Sequence, residues 1–296
     1  MDQRLIFIIF LTSLILFGTN GVIAEMISLP SNQIVLFRTA VGSLFLLIVT
    51  LIITRKSGTT VCIGQLPYTI ASGASMGISW ILLYESYTMI GVGMSSILYY
   101  CGPALVMFLS PLIFNERLTV KGIVGLTTVM VGASLICMEA LEPESEPMGY
   151  VYAIGSAIAH AVMVICGKKV TVTGGLENSS IQMTVAFLMV FVYSIVISDL
   201  PTYVNGDDWI PILVLGVLNT GIGCFMYFLT IPKLEAQTIS IWGYLEPLSA
   251  LVAGMMFLGE QILVVQIAGV VLILFGTIGT GLLDRRARIN SKDAIR

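Results

Sequence analysis

Residues 96–132 read SILYYCGPALVMFLSPLIFNERLTVKGIVGLTTVMVG, and residues 240–276 read SIWGYLEPLSALVAGMMFLGEQILVVQIAGVVLILFG. Laid on each other without a gap, at an offset of 144 residues, they agree at nine of 37 positions: Ser96/Ser240, Ile97/Ile241, Tyr100/Tyr244, Pro103/Pro247, Glu116/Glu260, Val120/Val264, Ile123/Ile267, Gly125/Gly269 and Gly132/Gly276. Apolar identities arise easily in a hydrophobic chain. The matched Tyr, Pro, Glu and two Gly carry more weight, because each is structural punctuation. The chain therefore reads as a duplication, with the acidic, Pro-containing stretch Glu139–Pro147 as the junction between halves.

The composition says where such a chain can live. Of 296 residues 57% are hydrophobic and only 10% charged, against roughly 25% charged in ordinary soluble domains. Too little polar surface is available to cover a fold in water, which excludes a soluble enzyme and a nucleic-acid binder. A bilayer-spanning helix needs about 20 mostly apolar residues. That ruler marks ten segments: 5–24, 34–53, 66–84, 94–114, 120–138, 150–167, 179–198, 210–229, 237–258 and 263–283. The apolar runs are continuous rather than alternating, which favours an all-α helical bundle over a β-barrel.

Ten spans place both termini on one side. With that side cytoplasmic, Arg4, Arg55, Lys56, Arg117, Lys121, Lys168, Lys169, Lys233, Arg285, Arg286, Arg288, Lys292 and Arg296 all fall inside. The outer loops hold no basic residue and carry Glu25, Glu85, Glu139, Glu142, Glu144, Glu146, Asp199, Asp207, Asp208 and Glu260. This is the positive-inside pattern, and one missed span would invert every later loop. Each half then has five spans, an odd number, so the second copy lies upside down in the membrane. The charges agree: Arg117 and Lys121 follow Glu116 on the inside, whereas their counterparts Gln261 and Val265 are uncharged. The expected organisation is a first five-helix repeat at 1–139, an external junction at 140–149, an inverted repeat at 150–283 and a basic cytoplasmic tail at 284–296.

Arg4 followed by an apolar run resembles a signal peptide with Val22-x-Ala24 as its cleavage site. Its removal would leave nine spans and break the repeat, so the segment reads as a retained first helix. The five cysteines are scattered, without a CxxC pair, and read as small apolar packing residues rather than a disulfide frame or metal site. No cofactor or metal is expected.

Inverted repeats are an architecture by which secondary transporters build two alternating states, with substrate held between the halves near the midplane. The ten spans, the two halves and the paired Pro…Glu…Gly…Gly punctuation resemble the drug/metabolite transporter superfamily, in its EamA-type branch. The motif reads PALVMFLSPLIFNERLTVKGIVG in the first half and PLSALVAGMMFLGEQILVVQIAG in the second. Phe37–Ala40, FRTA, is similar to that family's arginine-bearing start of its second helix. Two features depart from the pattern. Gln182 stands where the second copy would repeat Arg38, and the aromatic opening the first helix of each half is Phe17 in one copy and His160 in the other. The resemblance implies a multi-pass protein of a prokaryotic plasma (inner) membrane that moves small metabolites such as amino acids, outward or inward, by gradient or exchange.

Ionisable groups at bilayer depth are costly and hence functional candidates. Glu246 lies about 13 Å from the inner end of the ninth span, and His160 lies at similar depth in the sixth. Both are expected to face one polar cavity, where Glu246 and His160 would couple protons or Glu246 would balance a substrate amine. The opposing reading is a buried polar pair that locks two helices. Arg38, about 6 Å into the second span, either binds a carboxylate with its planar fork or snorkels and caps helix carbonyls. Tyr99, Tyr100, Trp242 and Tyr244 cluster at matching levels of the fourth and ninth spans, before Pro103 and Pro247, which free backbone carbonyls one turn earlier. With Trp80 and Tyr84 from the third span they form an expected aromatic cradle, while Tyr87 reads as an interface anchor. Asn20 and Asn219 are further polar candidates, set against ordinary interhelical hydrogen bonds. Glu116 and Glu260 read as caps of the helices that follow them.

The expected function is secondary active transport of a small polar, amino-acid-like metabolite by alternating access, coupled to protons or exchange. A channel, or a nucleotide-sugar-type exchanger of the same superfamily, is the alternative. No GxxxxGK[ST] motif occurs, so ATP is not the direct driver, and a membrane enzyme lacks paired His or a nucleophile with a base. The expected partners are lipids, a small-molecule substrate and a proton, with no nucleic acid. Glycine-bearing faces on helices five and ten suit packing within the chain or in a homodimer.

Overall fold

A computed structural model describes residues 2–57, 61–138, 146–201, 203–259 and 261–293, and among them it is helical with no strand. Continuous apolar helix is what a bilayer demands, since every backbone polar group must be satisfied within its own segment. Eight helical stretches are long and apolar enough to cross a membrane, and a shorter apolar helix runs over Val264–Thr277. One of the eight, Ile63–Phe114, contains 52 residues, enough helix for two crossings. It doubles back at Gly91, whose φ of 74° and ψ of 163° no helix tolerates. The Ser86 and Ser95 hydroxyls meet at 2.5 Å across this turn. In a straight helix nine residues would hold them about 13 Å apart. Each of the ten segments predicted from sequence falls on helix.

The first repeat comprises α1 (Gln3–Gly18), α2 (Asn20–Ala24), α3 (Ser31–Ser57), α4 (Leu66–Tyr99), α5 (Cys101–Phe114) and α6 (Val120–Cys137). The second comprises α7 (Pro147–Lys168), α8 (Gly175–Val196), α9 (Trp209–Val214), a π-helical turn over Leu215–Gly223, α10 (Cys224–Thr230), α11 (Ala236–Trp242), α12 (Leu245–Ala253), a π turn over Gly254–Leu258 and α13 (Val264–Asp293). The repeat is visible in the backbone. Asn115 and Gly259, 144 residues apart, both end a helix in the left-handed conformation, with φ of 55° and 69°.

Inversion is visible in the packing. A Cβ on Gly132 would lie 2.7 Å from the Gly269 carbonyl oxygen, and one on Gly276 would lie 3.0 Å from that of Gly125. These two contacts are the same contact with the copies exchanged. As one partner advances along α6 the other retreats along α13, so the helices run antiparallel. Between the halves α4 packs on α7 and α8, α3 on α8 and the π turn of Leu215–Gly223, α1 on α12, and α5 on α7. Large apolar side chains on the outer surface, such as Leu112, Val196, Val264 and Phe275, remain exposed, as expected where the surroundings are lipid.

Polar ties close both ends of the bundle. At the acidic end Ser28 donates from N–H and hydroxyl to Asp208, Gln33 donates to Asp199, and Asn32 and Tyr193 donate to Glu85. At the basic end Lys168 pairs with Glu116 at 3.0 Å, lies over the Phe114 ring and donates to the Leu234 carbonyl. Glu116 does not cap the helix that follows it. Thr119 does so, accepting from the Gly122 N–H at 3.0 Å, while Glu116 reaches another part of the chain and accepts the Ala236 N–H at 2.8 Å, capping α11. Spacing alone pointed to the nearer helix; the fold brings a different N-terminus within reach. Glu260 lies outside the described residues.

Candidate functional site

A cavity of about 840 Å³, open solvent included, lies where α1, α3, α4, α5, α7, α10, α11 and α12 converge. Its wall is mostly aromatic and aliphatic, with a few polar groups, which is the usual make-up of a small-molecule site. Asn20, Arg38, Trp80, Tyr99, Tyr100, His160 and Glu246 line it, all of them residues singled out from the sequence.

Helix breaks deliver the polar groups. The first span is interrupted at Thr19, so Asn20 begins a new short helix beside the cavity. The ninth span breaks at Gly243–Tyr244, ahead of Pro247, and Glu246 falls in the first turn of α12, where the helix dipole favours a carboxylate. Gly18 permits this approach: a Cβ there would sit 2.8 Å from the Glu246 carbonyl oxygen. Across the cavity, Arg38 is 6% exposed, its guanidinium 4.5 Å above the centre of the Trp80 ring. Its Nε has no hydrogen-bond partner. Among the described residues no carboxylate lies within ion-pair distance of Arg38, although the charges of Arg38 and Glu246 interact at longer range.

The far wall is pinned by serines. Ser79 donates to the Ser156 carbonyl at 2.9 Å and Ser156 to the Ser79 carbonyl at 2.7 Å, so α4 and α7 are held in register. Trp80 follows Ser79, and His160 lies one turn beyond Ser156. The His160 ring meets Tyr99 edge-on at 5.1 Å, and the Tyr99 hydroxyl lies 2.8 Å from its Nδ1. Gly102 lets α5 come this close, since a Cβ there would stand 3.2 Å from the imidazole.

Four of the residues expected to line the cavity do not. Tyr84, one turn beyond Trp80, packs against Val35, Leu36 and Val190 and edge-on to Tyr87. Tyr84 and Tyr87 sit on the same helix, α4, their rings 5.3 Å apart. Trp242 turns to Phe7, the rings perpendicular and 5.0 Å apart. Tyr244 is fully buried, and its hydroxyl donates to the Tyr100 carbonyl at 2.5 Å. Asn219 is 2% exposed and spends its amide on the first span. In each case the sequence left the azimuth open, because a helix hydrophobic on every side gives no sign of which face meets a cavity.

Sequence reasoning missed Ser79, Cys224, Tyr227 and Ser240 as lining residues. The Ser240 hydroxyl is buried without a partner. Its pairing with Ser96 in the repeat was a signal; Cys224 and Tyr227 sit in an apolar run that offered none.

Comparison with known proteins agrees with this geometry. The model of the EamA-like transporter family matches residues 4–138 and again 147–282. A protein of Bacillus subtilis described as uncharacterized transporter YxxF is 25% identical over 283 residues, covering 94% of this chain and 89% of its own. The threonine/homoserine exporter RhtA of Salmonella typhimurium is 25% identical over 226 residues, 72% of this chain and 70% of its own. RhtA of Escherichia coli K12 is 23% identical over 217 residues, again 72% and 70%. A crystal structure of a protein with 15% identity superposes with a TM-score of 0.80 over 94% of this chain and 98% of its own, a likeness of fold.

Proposed function

The chain belongs to the EamA-like transporter family, and from that premise we propose that it is a secondary carrier of a small zwitterion, an amino acid, working by alternating access between its two inverted halves. The observation that carries the reading is the pair Arg38 and Glu246, which line one cavity with opposite charge and are not ion-paired to each other. A buried charge left without a partner is costly. A zwitterion supplies both missing partners: its carboxylate meets Arg38 and its ammonium meets Glu246. The guanidinium lies over the Trp80 ring, and in this reading its fork makes a two-pronged contact with the carboxylate. Ser240, Tyr99 and Tyr100 line the same cavity and in this reading meet a polar side chain. The named activity of the RhtA relatives supports export as the direction and a hydroxylated amino acid as the cargo.

In this reading Glu246 also carries the coupling proton. It exchanges a proton for the ammonium when the cavity changes its opening, and His160, held by Tyr99, relays protons beside it. The orientation follows the charge pattern, with both termini in the cytoplasm of a bacterial inner membrane. The test is counterflow in proteoliposomes preloaded with unlabelled L-threonine and presented with labelled L-threonine outside. Transient accumulation is expected from wild-type protein. Passive equilibration without trans-stimulation would point to a pore, and indifference to all twenty amino acids would overturn the substrate. Glu246→Gln should weaken exchange and lose uptake driven by a pH gradient; uptake with unaltered pH response removes Glu246 from coupling.

A further inference from the structure

The polar group that the transport reading leaves unused is Asn219, in the middle of the π-helical turn Leu215–Gly223. π turns commonly mark functional sites, because the extra residue in the turn redirects a side chain. Asn219 is 2% exposed and does not line the cavity. Its Nδ2 lies 2.7 Å from the Leu16 carbonyl oxygen, 2.8 Å from Thr19 Oγ1 and 3.0 Å from Asn20 Oδ1. All three acceptors sit at the break in the first span.

Hydrogen-bond bookkeeping makes this arrangement directional. A carbonyl oxygen can only accept, so the end of Asn219 facing Leu16 must be its NH₂. Thr19 gives its own hydroxyl proton to the same carbonyl at 2.8 Å, so its oxygen receives from Asn219. An amide nitrogen cannot accept, so Asn20 meets it through its oxygen, the three acceptors sharing two N–H hydrogens. With its oxygen engaged by Asn219, Asn20 has its NH₂ left to donate, and Asn20 lines the cavity.

The same turn packs on α3 beside Arg38. A Cβ on Gly216 would lie 2.5 Å from Val41 Cβ, so glycine lets the turn press on α3 at Val41, with the Arg38 carbonyl oxygen in ordinary contact at 3.5 Å. One π turn thus touches the backbone of one cavity donor and the amide of another. We propose that Asn219 is a positioning residue which locks Asn20 as a hydrogen-bond donor, so that Asn20 and Arg38 form the subsite for the carboxylate of the transported amino acid. This deepens, and rests on, the zwitterion reading above.

The test compares L-threonine with 1-aminopropan-2-ol, the same molecule without its carboxylate, as counterflow substrates of reconstituted full-length protein. Asn219→Asp replaces the NH₂ that Asn20 faces with an acceptor and turns the Asn20 NH₂ away from the cavity. KM for L-threonine should rise about tenfold or more, the worth of a hydrogen bond to a charged group, with kcat little changed and KM for the amine unaltered. In an Asn20→Ala background Asn219→Asp should add no further rise, because its effect passes through Asn20. Should Asn219→Asp fail to fold, Asn20→Asp keeps the oxygen that Asn219 holds and exchanges only the cavity-facing NH₂, with the same predicted loss confined to L-threonine. Equal losses for both probes, rises that multiply in the double variant, or an Asn20→Asp protein with wild-type preference would each overturn the proposal and leave the carrier reading intact. A wild-type protein that carries the amine and no amino acid would overturn both.

Discussion

Replacing Arg38 with methionine separates binding from folding. Methionine has similar length and no charge, and the wild-type guanidinium is 6% exposed with an unpartnered Nε. An unsatisfied buried polar group costs about 1–3 kcal/mol, and more when charged. Against this, the substitution gives up the stack on Trp80, worth about 0.5–2 kcal/mol. The balance favours the variant by about 1 kcal/mol, which corresponds to a rise in Tm of about 2–4 °C for a domain approaching this size. Transport of L-threonine should fall to background while thermal stability in detergent is kept or improved. Thermal-shift measurement and counterflow on the same preparation read both quantities. A variant that loses stability and transport together would show that Arg38 is a structural cap, and would refute the argument that its unpaired charge awaits a substrate.

Other perturbations test the frame around the cavity. Gly132→Ala would place a Cβ 2.7 Å from the Gly269 carbonyl, and Gly269→Ala would place one 2.6 Å from that of Gly132. Each should destabilise by about 1–3 kcal/mol, read as a lowered Tm, with Gly279→Ala, which meets nothing within 4 Å, as the neutral control. Glu116→Gln breaks the 3.0 Å pair with Lys168 while keeping an oxygen for the Ala236 N–H. The expected loss is about 1 kcal/mol, and an unchanged Tm would mean the tie carries no net stability. Cys224, 3% exposed on the cavity wall, should react slowly with a small permeant maleimide in a variant whose other cysteines are serine, and L-threonine should slow it further. Labelling indifferent to substrate would place binding elsewhere.

Much of the site was legible from scarcity. A charge within an apolar run stands out, and the energetic cost of burying it argues for use. Arg38, His160 and Glu246 were found this way, and all three line the cavity. Aromatic residues stand out less, because tyrosine and tryptophan serve equally at interfaces, in cores and in binding sites. Trp80, Tyr99 and Tyr100 face the cavity, whereas Tyr84, Trp242 and Tyr244 pack against neighbouring helices. The repeat even misled: Tyr100 and Tyr244 match in sequence, but one faces the cavity and the other supports its carbonyl.

The sequence by itself determined the architecture: an all-helical membrane bundle, a duplication, and the inversion that an odd span number and a one-sided distribution of basic residues require. These follow from patterns that survive in one dimension, namely length against bilayer thickness, charge against loop position, and punctuation against offset. Tertiary structure alone decided which side of each helix meets the cavity, that Glu116 caps a distant helix, and that Asn219 donates to Asn20 across some 200 residues of chain. The physical reason is the solvent. Lipid is as apolar as a protein core, so a helix buried on one face and bathed in hydrocarbon on the other shows no hydrophobic stripe. Rotation about its axis is then set by close glycine contacts and polar ties between segments remote in sequence.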